Sequence, residues 1–158
     1  MSTVVWRVAD LAYTDPPFNP FDGEGARLYG GRWNNAGVPA VYAAGACSLA
    51  LLEVLVHVPD LVLLQGYVVY RAEIPDELIL DVAIEELPEN WKQPGLVPDL
   101  RRLGDEWMRA RASVALRVPS AIVPVEFNYV LNPRHPEYDL VTFGQREPLP
   151  VDPRLLKK

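Results

Sequence analysis

Sixteen prolines are spread through the 158 residues, and they restrict the possible folds of the chain more than any other feature. A proline inside a helix removes a backbone donor and clashes with the preceding turn, so long helices are disfavoured. The proline share is about twice the common frequency of roughly 5%. We therefore expect short elements in an α+β domain, with mixed, twisted β-sheets and flanking helices.

Length and composition favour a single compact domain over residues 1–158. The chain is 49% hydrophobic and 23% charged, which is typical of a globular protein and unlike a disordered or membrane protein. Its formal net charge of −6 has the wrong sign for a protein that binds nucleic acid or anionic membranes directly. Any anionic ligand must then be bound by a few local arginines.

The single cysteine, Cys47, cannot form an internal disulfide, and the N-terminus lacks the pattern of a secretion signal. These features favour the cytoplasm. Two histidines and one cysteine also argue against a metal site.

Hydrophobic patterning predicts a series of short elements. Helices are expected over 48–58 and 99–112, with a long loop over 15–23 and a surface tail over 145–158. The predicted strands are 4–8, 38–43, 65–74, 77–82, 114–118, 121–125 and 140–143.

The first predicted helix carries an unusual carboxylate. Ser48 is a plausible N-cap, Pro59 ends the segment, and the residues between are apolar almost all round, so burial on most faces is expected. Glu53 within this run needs a partner or a function. It either acts as a rigid charged group in a site, or merely shares a solvated stripe with His57 one turn later.

Two arginines also need explanation. Arg32 lies in a Gly-Gly-Arg-Trp-Asn turn, where it can hold phosphate oxygens with its forked guanidinium or simply pair with a neighbouring acid. Arg7 stands between apolar residues of the first strand, and a buried arginine normally needs an anionic partner.

Four other polar residues have both ordinary and functional interpretations. Tyr42 can stack on a flat ligand ring or fill the core. Ser120 can be a turn residue or part of a site, and Asn128 and Asn132 can be turn-formers.

Taken in order, several motifs resemble one family, the RES-domain toxins. The motifs are Trp6-Arg7-Val8, Gly30-Gly31-Arg32-Trp33-Asn34, Val41-Tyr42-Ala43, residues 50–57 around Glu53, Pro119-Ser120 and Asn128 to Pro133. Each motif alone is weak, whereas their ordered combination extends over most of the chain.

The resemblance implies a fold similar to the ADP-ribosyltransferase toxins and an activity that consumes NAD as substrate, without a metal. It implies Arg32, Glu53 and Ser120 as the catalytic residues. It implies Arg7, Arg32, Tyr42 and Asn128 as the residues that bind NAD. The implied partner is an Xre-type helix-turn-helix antitoxin, with a toxin homodimer as one arrangement inside the complex.

The chemistry of NAD cleavage suits these residue types. Breaking the nicotinamide N-glycosidic bond creates a ribosyl cation that a carboxylate can stabilise, while arginines bind the pyrophosphate. The expected protein is a growth-arresting toxin that is an NAD glycohydrolase or phosphorylase. Transfer of ADP-ribose to a protein is the alternative within the same chemistry, and a non-catalytic binding module is the alternative of another class.

Overall fold

A computed structural model describes residues 1–156, which form eight strands, three α-helices and several short 3-10 turns. The helices are α1 Glu24–Tyr29, α2 Cys47–Leu55 and α3 Pro98–Ala110. The strands are β1 Ser2–Asp10, β2 Val41–Ala44, β3 Tyr67–Pro75, β4 Ile79–Asp81, β5 Ala115–Pro119, β6 Phe127–Leu131, β7 Thr142–Phe143 and β8 Glu147–Pro148. This is the α+β architecture that the sequence predicts.

The strands form one mixed sheet in the order β4-β5-β6-β2-β1-β3-β7, with β8 also paired to β3. β4 and β5 are parallel and the other pairs are antiparallel. β1 pairs with β3 along nine positions, but it meets β2 at the single pair Trp6 and Ala44. We call this junction of β1 and β2 the seam, because it joins two well-paired halves of the sheet.

Two helices pack on the sheet and position the residues that matter below. Leu49 and Ala50 of α2 bury against Val8, Ala44 and Val69, so this helix lies across the seam. The amphipathic helix α3 packs on the β5–β6 half through a cluster that includes Leu100, Trp107, Leu116, Val118 and Val130.

The structure corrects several expectations about α2. The helix begins at Cys47 with Ala46 as its N-cap, so the prediction that Ser48 caps it is wrong. It is also not buried on most faces, because only Leu49 and Ala50 are fully buried, whereas Leu52 is 39% exposed and Val56 is 59% exposed. An apolar helix surface therefore remains on the outside of the molecule.

Other corrections concern elements with ambiguous patterning. Residues 121–125 form turns and no strand, with Val125 85% exposed. Asn128 lies in strand β6, although an asparagine considered alone favours a turn. The predicted tail from residue 145 includes strand β8 before it continues along the surface, and its last two residues, 157–158, lie outside the described part of the chain.

Candidate active site

A cleft of about 960 Å³ lies beside the seam. Strands β1 and β2, the 30–33 turn, α2, the 92–96 loop and the start of α3 contribute to its wall. Five of the six residues proposed for the site line it directly, namely Arg7, Arg32, Tyr42, Glu53 and Asn128. The sixth, Ser120, lies behind the wall and is fully buried.

The packing of α2 determines where Glu53 points. Glu53 follows Leu49 by four residues and Ala50 by three, which places the three side chains on one face of the helix. Leu49 and Ala50 anchor that face on the sheet. The half-buried carboxylate is consequently presented at the wall of the cleft.

Two side chains hold one oxygen of this carboxylate. The Ser120 hydroxyl donates to Glu53 Oε1 at 2.8 Å, and Asn128 Nδ2 donates to the same oxygen at 2.6 Å. The Ser120 oxygen also accepts the backbone N–H groups of Ile122 and Val123, both at 3.1 Å. Because these two bonds occupy its acceptor side, the single hydroxyl proton is directed at Glu53.

The remaining polar atoms of this trio are available for a ligand. Glu53 Oε2 accepts no hydrogen bond from any residue in the 1–156 range. Asn128 Oδ1 is buried and has no partner among the same residues. A buried amide oxygen without a donor is costly, so a hydroxyl of a bound ligand is a fitting partner for it.

The 30–34 turn positions Arg32 through close backbone packing. A Cβ on Gly31 would lie 2.6 Å from the Tyr42 hydroxyl, so only glycine fits there. Buried Asn34 closes the turn by donating through Nδ2 to the carbonyls of Ala26, Asn35 and Val38. Arg32 therefore sits on a rigid support.

The guanidinium of Arg32 is held by the neighbouring loop. It donates to the carbonyls of Trp91, Gln93 and Gly95, the last two at 3.1 and 3.5 Å. Partial burial lowers the pKa of Arg32, and the negative charge of Glu53 acts in the opposite direction. Arg32 thus lies close enough to Glu53 to feel its charge, and it also secures the 91–95 loop at the cleft.

Tyr42 is fixed by its hydroxyl. It donates to Asn34 Oδ1 at 2.7 Å and accepts the backbone N–H of Trp33 at 2.8 Å. Burial raises the pKa of Tyr42, which keeps the phenol protonated at neutral pH. The ring both packs against the core and lines the cleft, so the two interpretations of this residue are compatible.

Arg7 bridges the seam. Its Nε donates to the Pro20 carbonyl at 2.7 Å and one terminal nitrogen donates to the Tyr42 carbonyl at 2.9 Å. Burial lowers its pKa, and no carboxylate within residues 1–156 forms an ion pair with it. The negative charge of Asp22 acts in the opposite direction to burial, but Asp22 forms no ion pair with Arg7, so a ligand phosphate can supply the direct anionic partner.

Two further cations at the cleft are not predicted from the sequence. Arg101 of α3 donates through Nε to the Gly31 carbonyl at 2.7 Å, and Lys92 lies on the loop that Arg32 holds. Arg101 carries no local sequence signal, because its approach to the Gly31 carbonyl depends on how α3 packs against the 30–34 turn. Among the described residues that line the cleft, Glu53 is the only carboxylate.

His57 also lines the cleft, but its side chain is exposed beyond the end of α2. Among residues 1–156, no group of three or more histidine, cysteine or acidic side chains lies close enough together to hold a metal ion. No helix in the described part of the chain is long and apolar enough to span a membrane.

The chain is similar in sequence to known proteins over almost its whole length. Residues 4–152 match the family model described as RES domain. A protein of Photorhabdus laumondii named Toxin Res is 39% identical over 155 residues, covering 98% of this chain and 97% of the relative. A protein of a Sphingobium strain named Prs ADP-ribosylating toxin is 34% identical over 161 residues, covering 100% and 99%.

A third relative is similar to this chain in sequence, and a solved complex that contains it is similar in fold. The NAD(+) phosphorylase MbcT of Mycobacterium tuberculosis is 28% identical over 117 residues, covering 70% of this chain and 61% of the relative. The crystal structure of the M. tuberculosis MbcT-MbcA toxin-antitoxin complex matches with a TM-score of 0.74 at 19% identity, covering 99% of this chain and 87% of that one. At that identity the likeness concerns the fold.

Proposed function

Because this chain belongs to the RES domain family, we propose that it is a toxin that degrades NAD in the cytoplasm by cleaving the nicotinamide N-glycosidic bond. One observation carries the proposal: Glu53 has Oε1 fixed by Ser120 and Asn128, and it faces a cleft whose other charged groups are mainly cationic. Relatives named as an NAD(+) phosphorylase and as an ADP-ribosylating toxin support NAD as the substrate.

Each residue has a role in this proposal. Glu53 stabilises the ribosyl cation and binds a ribose hydroxyl through Oε2, while Asn128 Oδ1 accepts a second hydroxyl. Arg7 and Arg32 bind the pyrophosphate, and the Tyr42 ring stacks on nicotinamide. Ser120 holds the carboxylate in place from behind. The local cations outweigh the net charge of −6, because distant surface charges are screened beyond about 8 Å.

The acceptor of ADP-ribose is tested by incubating the pure protein with NAD. One reaction contains no phosphate, a second contains phosphate, and a third contains a bacterial lysate as a source of protein acceptors. Free ADP-ribose in the first reaction identifies a glycohydrolase, and a phosphorylated product confined to the second identifies a phosphorylase. Modified protein in the third alone favours an ADP-ribosyltransferase. Intact NAD in all three supports the non-catalytic binding module instead.

We also propose that an Xre-type helix-turn-helix antitoxin covers the cleft near Arg32 and Glu53 and blocks entry of NAD. The exposed apolar residues Val56, Leu96 and Ile122 surround this region and are suited to a protein contact. The basic surface for DNA would belong to the antitoxin, since this chain is acidic. A toxin homodimer inside the complex is part of the same proposal, and the mass of the purified complex tests it.

A further inference from the structure

A second cleft lies at the C-terminal end of α3 and shares no lining residue with the first. Its volume is about 450 Å³, within the range of small-molecule sites. The 36–39 loop, the end of α3 and the segment after β6 form its walls. Its lining residues are Ala36, Gly37, Val38, Pro39, Met108, Arg109, Arg111, Asn132 and Arg134.

The charge in this second cleft is entirely positive. Arg109, Arg111 and Arg134 line it, and no acidic residue does. Within residues 1–156, none of the three guanidinium groups forms an ion pair or a hydrogen bond. Glu24, which feels the charge of Arg134, already holds Arg27 in an ion pair. The three arginines are exposed to solvent, and together they give the cleft a positive charge that suits an anion.

Arg111 occupies a position where the backbone favours glycine. It ends α3 in the left-handed region with φ of 50°, and it is the only described residue other than glycine with positive φ. Glycine is the usual residue at such a helix end because it lacks a Cβ. The chain instead carries a long cationic side chain there, at a conformational cost, and that side chain lines the cleft.

We propose that the second cleft binds a compact polyanion of the diphosphate class, free or as the end of a nucleotide. Arginine forks match phosphate oxygens in pairs, and three of them can bind two adjacent phosphate groups. A volume of about 450 Å³ favours a small ligand over a nucleic acid strand, which needs an extended basic surface. This site is separate from the proposed NAD site, so its existence does not depend on the proposed function.

Titration calorimetry at low ionic strength tests the proposal with inorganic pyrophosphate and with ADP as probes. The test variant is Arg109→Gln combined with Arg134→Gln. The matched control is Arg102→Gln, an exposed arginine of the same helix that pairs with Asp99 and Glu106. Pyrophosphate affinity is expected to fall at least about tenfold in the double variant, because charge-assisted bonds are lost, and to stay unchanged in the control. If ADP binding falls in parallel, the cleft accepts a nucleotide; otherwise it takes the free anion.

Amide NMR locates the bound anion independently of affinity. Pyrophosphate is expected to shift the signals of Gly37 and Arg111, whereas those of Gly30 and Gly31 report the first cleft. NAD consumption should be unaffected by the double variant, which also serves as a check that it is folded. Absence of binding, or equal pyrophosphate affinity in the double variant and the wild-type protein, would overturn the proposal and leave the arginines as charges that only favour the helix end.

Discussion

At the residue scale, the site contains one carboxylate, two side chains that donate hydrogen bonds to it, and polar groups that have no charged or hydrogen-bonding partner of the expected kind in the described protein. Ser120 and Asn128 both bond to Glu53 Oε1, which leaves Oε2 for chemistry. Arg7 has only carbonyl partners among its described neighbours, and Asn128 Oδ1 has none. These polar atoms without a hydrogen-bond or ion-pair partner distinguish a binding site from a polar cluster whose hydrogen bonds are all made.

Arg32 should not be replaceable by lysine. A lysine offers one point charge where the guanidinium reaches several oxygens at once, so the Arg32→Lys variant should bind NAD at least about tenfold more weakly. Calorimetry in a Glu53→Gln background measures this without turnover of NAD. Arg102→Lys, on the exposed face of α3, is the control. If Arg32→Lys has unchanged affinity for NAD, the arginine serves only to hold the 91–95 loop.

At the element scale, the sequence predicts what strong local signals determine. The periodic helix that begins at Pro98 and the apolar strands near residues 2–10, 67–75 and 115–119 lie where the patterns predict them. The apolar composition of residues 121–125 predicts a strand, but the segment forms turns. The sequence does not predict β6, because asparagine favours turns when considered alone. Its pairing with β2 and β5 overrides that preference.

The sequence predicts only part of the candidate site, because it too depends on local signals. Residues in recognisable motifs, such as Arg32 and Glu53, were found, and the structure brings them together. Arg101 and the 91–95 loop were missed, because their approach depends on how α3 crosses the sheet, which no local pattern encodes. The bonds of Ser120 and Asn128 to Glu53 join residues 67 and 75 positions apart, and only tertiary structure shows them.

The contact between α3 and the Arg32 turn should be intolerant of added volume. A Cβ on Gly104 would lie 1.7 Å from the Trp33 carbonyl oxygen, so Gly104→Ala must push the helix away from the turn. We expect the free energy of unfolding to fall by about 1–3 kcal/mol, as measured by urea denaturation. Gly25→Ala is the control, because no described atom beyond its chain neighbours and its own helix backbone lies within 4 Å of the added Cβ. It should gain about 0.5–1 kcal/mol as a helix residue. A Gly104→Ala protein as stable as the wild type would show that the packing is looser than described.

At the scale of the whole molecule, the seam explains the location of the site. Two well-paired halves of the sheet meet at one residue pair, and Arg7 and α2 connect them where strand pairing does not. Polar groups at such a junction can face a ligand while the rest of the sheet keeps them rigid. The exposed apolar residues near the cleft then suit a protein that covers it.

Toxicity in cells tests this whole-molecule view. Expression of the chain alone in bacteria should arrest growth and lower cellular NAD, because the cofactor is consumed. Co-expression with the product of the neighbouring gene, the source of the proposed antitoxin, should restore both. The Glu53→Gln variant controls for the burden of expression. Harmless expression of the wild-type chain with unchanged NAD would count against the toxin and against the need for a partner.

Glu53 drives cleavage of NAD in the proposed function, and release of nicotinamide by the purified protein measures this role most directly. Mass spectrometry follows nicotinamide for the wild type, for Glu53→Gln and for His57→Gln, which alters another polar residue of the cleft. Glu53→Gln keeps the shape of the side chain and removes its charge, so the rate should fall about 10²–10³-fold while the protein stays folded. The His57→Gln rate should be close to that of the wild type. Equal nicotinamide release by the wild type and Glu53→Gln would contradict the account.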